Sequence, residues 1–120
     1  MRIAYYSNRI FFNGDFLEKQ GLGGSESSVI HLTRFWKKKY PKDEVIVYNG
    51  WIKEPTTFDG VLYKSVLDFK AECRTFSLDA LISCREVAPF LEPYIDSNLL
   101  VFHSHDDMNE KDMKIIKENL

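Results

Sequence analysis

Residues 22–48 read LGGSESSVIHLTRFWKKKYPKDEVIVY, and this stretch decides the fold. Glycines open it, a helical pattern fills its middle, and a short β-rich run closes it. Ser25 is a good helix N-cap, and Glu26 complements the positive end of the helix dipole. Val29, Leu32, Phe35 and Trp36 recur at helical spacing and predict one apolar face. Lys37, Lys38 and Lys39 fall in the last turn, where cations suit the negative helix end, and Pro41 stops the helix. The three lysines read as a solvated helix end rather than a phosphate site. VIVY at 45–48 is flatly apolar, the pattern of a strand covered on both faces.

Outward from this core the same alternation continues. RIAYY at 2–6 precedes it; VLY at 61–63, ALIS at 80–83 and LLVF at 99–102 follow, each near strand length. Weaker helical stretches lie between them. Residues 65–73 place Val66, Phe69 and Cys73 at helical spacing. Residues 86–94 carry Pro89 and Pro93, so a helix there begins near Ala88. Residues 109–120 put Met113, Ile116 and Leu120 on one side of a charged helix. Strands alternating with helices predict an α/β fold: an open, mostly parallel Rossmann-like sheet with helices on both faces, in a single domain over residues 1–120. No internal repeat, low-complexity tract or linker interrupts it.

Composition narrows the function. The 120 residues carry 16 Lys and Arg against 18 Asp and Glu, a formal charge of -2, which argues against a nucleic-acid partner. Nine Phe, six Tyr and two Trp provide enough apolar area for a packed core. No apolar run approaches the ~20 residues of a membrane span. The N-terminus lacks the apolar core of a signal peptide. Cys73 and Cys84 form no CxxC pair. They read as reduced, buried thiols of a cytoplasmic protein.

Gly21-Leu22-Gly23-Gly24-Ser25-Glu26 lies between the first strand and the first helix. Glycines there let the backbone turn tightly and approach a ligand, and the free N–H groups of residues 24–27 face an anion. A ligand-free tight turn fits these residues equally well. A dinucleotide fingerprint does not: Glu26 holds the third glycine position, the loop from Ser7 is too long, and Tyr48-Asn49-Gly50 stands where a ribose-binding carboxylate belongs. No Lys follows the glycines, so a P-loop is absent too. The long segment 8–20 mixes aromatic and polar residues, which can grip a sugar or cover a sheet end.

The last strand runs into Phe102-His103-Ser104-His105-Asp106-Asp107. In a doubly wound sheet this end and the glycine loop share one edge. Three readings compete. His103, His105 and Asp107 nearly spell the HxHxDH metal motif of metallo-β-lactamase-like hydrolases, but Met108 replaces its last histidine. A histidine with a neighbouring aspartate also suits acid–base or hydroxyl-binding work. Finally, Asp107 or Asn109 would cap a following helix.

Together, RIAYYS, GLGGSE entering a helix, VIVY after residues 42–44, LISCRE and LLVFHSHDD resemble the N-terminal domain of GT-B glycosyltransferases, the family 4 group in particular. The resemblance spans nearly the whole chain. It implies a retaining transfer of a sugar from a nucleotide-sugar, UDP- or GDP-linked, to an acceptor hydroxyl on a glycan or small molecule. It implies that Gly23, Gly24, Ser25 and Glu26 approach the donor diphosphate, and that His105, followed by Asp106, lies beside the transferred sugar. It implies no metal and no covalently bound cofactor. The family's second, donor-binding domain with its ExxxxxxxE motif is not represented in these residues. The expectation is therefore a truncated enzyme, inactive alone, or one completed by a second chain. The alternative from a different class is a non-catalytic module for phosphate or sugar ligands; a metal-dependent hydrolase ranks third.

Overall fold

The computed structural model describes residues 1–8, 24–50, 53–75, 77–86, 88–91 and 95–103, with Lys111 and Lys114. Strand β1 (Arg2–Tyr6) is followed by helix α1 (Gly24–Lys39) and strand β2 (Glu44–Tyr48). Then come β3 (Thr56–Phe58), β4 (Val61–Lys64), α2 (Val66–Glu72), β5 (Leu78–Cys84), a 3-10 turn (Ala88–Leu91) and β6 (Ser97–His103). One six-stranded sheet has the order β3-β4-β2-β1-β5-β6. All pairs are parallel except β3–β4. The chain moves outward from β1 through α1, then returns past β1 through α2. The five parallel strands thus follow the Rossmann-like order, which reverses direction between β1 and β5.

The five expected strands are all present. The sequence reading lacked β3, although its signal is there. Asp59 and Gly60 join β3 to β4 with φ of 52° and 80°. A two-residue loop with both φ positive is the hairpin turn that Asp-Gly favours. Residues 65–73 form α2 as expected: Ser65 caps it, its hydroxyl accepting from the Leu67 N–H at 3.1 Å. The stretch 86–94 yields a short 3-10 turn that begins at Ala88. The helix expected over 109–120 lies outside the described residues, apart from the helical Lys111 and Lys114.

Two cores sandwich the sheet. On one face Val29 and Ile30 of α1 pack on Val45, Val47, Val61 and Tyr63. On the other, Val66 and Phe69 of α2 pack on Ala4, Ile46, Tyr48 and Leu81, and Phe90 of the 3-10 turn joins them. The strands thus bury both faces, which explains their flatly apolar sequences. The expected apolar face of α1 needs correction. Leu32 is 46% and Phe35 63% exposed, whereas Val29, Ile30 and Thr33 are buried. Thr33 is accommodated because its hydroxyl donates to the Val29 carbonyl at 2.7 Å, a back-bond that satisfies a polar atom inside a helix. Leu32 and Phe35 flank the contact stripe and, with Trp36, Ala80, Ile82 and Leu99, line an apolar groove of about 380 Å³.

Polar links pin the edge of the sheet opposite the strand ends. The amino terminus pairs with Asp43 at 3.0 Å, the Trp36 indole donates to the same carboxylate at 2.9 Å, and Arg2 pairs with Glu44 at 2.8 Å. The amine and the indole hold the Asp43 carboxyl below its usual range. Lys37 donates to the Asp43 carbonyl at 2.5 Å, so the lysine-rich turn is indeed a helix end, with Lys38 and Lys39 exposed. Among the described residues no helix is long and apolar enough to cross a membrane.

Candidate functional site at the carboxyl edge of the sheet

Parallel strands bring their carboxyl ends to one edge, and the reversal between β1 and β5 opens a crevice there. The edge is assembled from short segments: Ser7-Asn8 after β1, Asn49-Gly50 after β2, Ser65 after β4, Arg85-Glu86 after β5 and His103 ending β6. Backbone bonds tie them together. The Ser7 N–H donates to the Tyr48 carbonyl at 3.0 Å, Asn49 N–H to Lys64 at 2.9 Å, and Arg85 N–H to His103 at 3.1 Å. The Val66 N–H donates to Gly50 at 3.0 Å, which fixes the start of α2 to the same web.

Asn49 is central to this web and its role was not legible in the sequence. It is fully buried, and its side-chain amide donates to the Ser7 carbonyl. Gly50, with φ of 59°, lets the chain turn away immediately afterward. A residue at the end of the second strand holds the ribose in dinucleotide folds. Here that position faces inward and is satisfied by the protein. The absence of a carboxylate is thus matched by the absence of a side chain able to reach a ligand.

The start of α1 comes to this edge from the other side. Gly24 and Ser25 open the helix. Glu26 sits in its first turn and is 3% exposed. Its charge acts on the Cys84 thiol at the end of β5. Burial first, then Glu26, pushes that thiol up to about 11, with Arg85 opposing. Burial, followed by the Cys84 charge, raises the Tyr5 phenol in turn. A thiol so protonated is a poor nucleophile at neutral pH. Cys84 therefore packs rather than reacts; Cys73 is buried too, and neither forms a disulfide. Arg85 adopts φ of 66°, a left-handed conformation rare outside glycine that lets the chain leave the sheet after β5.

On the α2 side of the reversal, a cavity of about 220 Å³ opens among Tyr6, Val66, Leu67, Phe69, Pro89 and their neighbours. Its floor is stiff. The Phe69 ring meets Tyr6 and Tyr48 edge-on, with centroids 5.3 and 5.1 Å away. The Tyr48 hydroxyl donates to Glu72 at 2.8 Å, and Lys64 pairs with the same carboxylate. Burial and this acidic partner raise the Tyr48 phenol far above its usual range.

Of the residues singled out from the sequence, Gly24, Ser25 and Glu26 reach the edge through α1, and His103 reaches it as the half-buried end of β6. Gly23, His105 and Asp106 lie outside the described residues, as do Asp107 and the rest of residues 9–23. Among the described residues no three His, Cys, Asp or Glu side chains cluster as metal ligands would. No protein-family model, curated protein or solved structure matches the chain. The fold itself therefore defines the class: an α/β protein with a six-stranded, mostly parallel sheet in Rossmann-like order.

Proposed function

We propose that this chain forms the acceptor-side domain of a retaining, GT-B-type glycosyltransferase. The observation that supports it is a convergence. The strand order brings the start of α1, where GLGGSE enters the helix, and the end of β6, where the chain runs into HSHDD, to one edge. In this reading the backbone around Gly23 and Gly24 approaches the donor diphosphate, where N–H groups and the helix dipole stabilise negative charge. Ser25 and Glu26 belong to the same turn. His105, followed in sequence by Asp106, would hydrogen-bond the transferred sugar as the glycosidic bond to the diphosphate breaks. Buried Asn49 and the protonated Cys84 leave the dinucleotide and thiol-nucleophile chemistries without a reactive group at their expected positions.

Transfer also needs a donor-binding domain, from a continuation of the chain or from a second chain. The test is sugar transfer by residues 1–120 combined with such a domain, followed as nucleotide release. Transfer is expected from the pair and not from residues 1–120 alone. His105→Ala is expected to lower kcat by two orders of magnitude or more, and Gly24→Val to raise the donor KM. A pair that works equally well with both substitutions refutes the assignment. Calorimetry separates the alternative: tight binding of a nucleotide-sugar by residues 1–120 alone identifies a non-catalytic binding module.

A further inference from the structure

The cavity beside the reversal carries information about what is bound there. It lies at the carboxyl edge, between the end of β1 and the turn after β5, where open α/β sheets take their ligands. Its described walls are largely apolar: Val66, Leu67, Phe69, Ala88 and Pro89, with the Tyr6 ring packed edge-on against Phe69. Among the described lining residues Lys70 is the one charged side chain; it is exposed and forms no ion pair among the described residues. No carboxylate is among the described lining residues. An apolar cavity of about 150 Å³ accommodates a benzene molecule. At about 220 Å³ this one has room for one substituted six-membered ring and not for two.

We infer that this cavity binds an acceptor built on a single six-membered ring, with an apolar face and a negatively charged substituent. The inference rests on the acceptor-side reading above and specifies its substrate class. The ring's apolar face lies against Leu67, Ala88 and Tyr6, the accessible part of the lining above buried Phe69, Val66 and Pro89, and the rigidity of that floor limits the ordering that binding requires. The substituent reaches Lys70 at the rim. Because Lys70 is solvated, its attraction is modest and governs preference more than affinity.

The experiment uses residues 1–120 and two probes of the same shape, 4-hydroxybenzoate and its neutral counterpart 4-hydroxybenzamide, titrated by amide-resolved NMR. Saturable shifts are expected at residues 66–70 and 88, with the benzoate bound about three- to fivefold more tightly, the size of an exposed ion pair. Lys70→Met is expected to remove that preference while leaving the amide's binding intact. Ala88→Leu fills the cavity from an exposed position and is expected to weaken both probes at least tenfold, with an unchanged thermal melt showing that the fold persists. Shifts centred instead on Leu32, Phe35 and Leu99 overturn the inference, as does a charge preference that survives Lys70→Met. The same variants separate this inference from the transferase reading. Probe binding that responds to both substitutions, without transfer in the completed enzyme, keeps the site and removes the transferase. Transfer that ignores Ala88→Leu does the reverse.

Discussion

Asn49→Asp isolates the physics of the carboxyl edge in one atom. The native side-chain amide donates to the Ser7 carbonyl, and both residues are buried. An ionised aspartate replaces that donor with an acceptor, so two oxygens face each other without water. A buried polar group left unsatisfied costs about 1–3 kcal/mol, and more when it is charged. At pH 7 the variant is expected to lose about 3 kcal/mol. With a urea m-value of about 1–3 kcal/mol/M, the midpoint falls by about 1–3 M. The neutral acid can donate to Ser7, so the folded state raises the carboxyl above its unfolded value of about 3.9. A raised value contributes stability below the unfolded pKa, and that contribution is lost as pH rises through the folded one. The gap between variant and parent should therefore shrink toward about 1 kcal/mol as pH falls to about 4. Urea denaturation of both proteins at pH 4 and 7 measures it. A gap that does not change with pH, or no gap at pH 7, refutes the buried donor role of Asn49.

Other consequences are expected along the same lines. Gly60→Ala should cost about 1 kcal/mol by chemical denaturation: φ is 80°, and the added Cβ would sit 2.9 Å from the Lys37 Cγ, so a flexible side chain must also give way. Phe69→Ala should cost about 3–5 kcal/mol, because it empties the floor beneath Tyr6 and Tyr48; a thermal midpoint within a degree of the parent contradicts the packing. The Cys84 thiol should resist alkylation at pH 8 in the folded protein and react freely in urea. Its raised folded pKa, about 11, makes stability fall as pH rises from about 9 toward that value, and Cys84→Ala should flatten this decline. Asp43 has the opposite sign: its lowered folded pKa contributes stability above the unfolded value, lost in acid, so Asp43→Asn should blunt the acid-side decline in the thermal melt.

Local chemistry fixed much of this molecule in advance. The five parallel strands follow from short apolar runs, the end of the first helix from its lysine-rich turn, and α2 from Ser65; the first helix itself opens at Gly24, one residue before the expected cap Ser25. Each is a contest between nearby groups, which sequence spacing records directly. The Asp59-Gly60 hairpin was equally local and legible. Its three-residue strand is too short to announce itself by apolar periodicity.

Other features depended on partners distant in the chain. Leu32 and Phe35 share the helical spacing of Val29, yet they stay exposed because the sheet meets α1 along Val29, Ile30 and Thr33. Asn49 looks like an ordinary turn residue. Only β1 beside β2 supplies the Ser7 carbonyl 42 residues away that makes it a clasp. The raised Cys84 thiol likewise depends first on its burial and then on Glu26, brought across from another element. Sequence alone determined which segments become strands and helices, since backbone propensity and apolar period act within a few residues. The tertiary structure decided which side chains close the carboxyl edge and which cavity opens beside it. Burial and hydrogen-bond satisfaction there are set by strand order, and no local pattern encodes that.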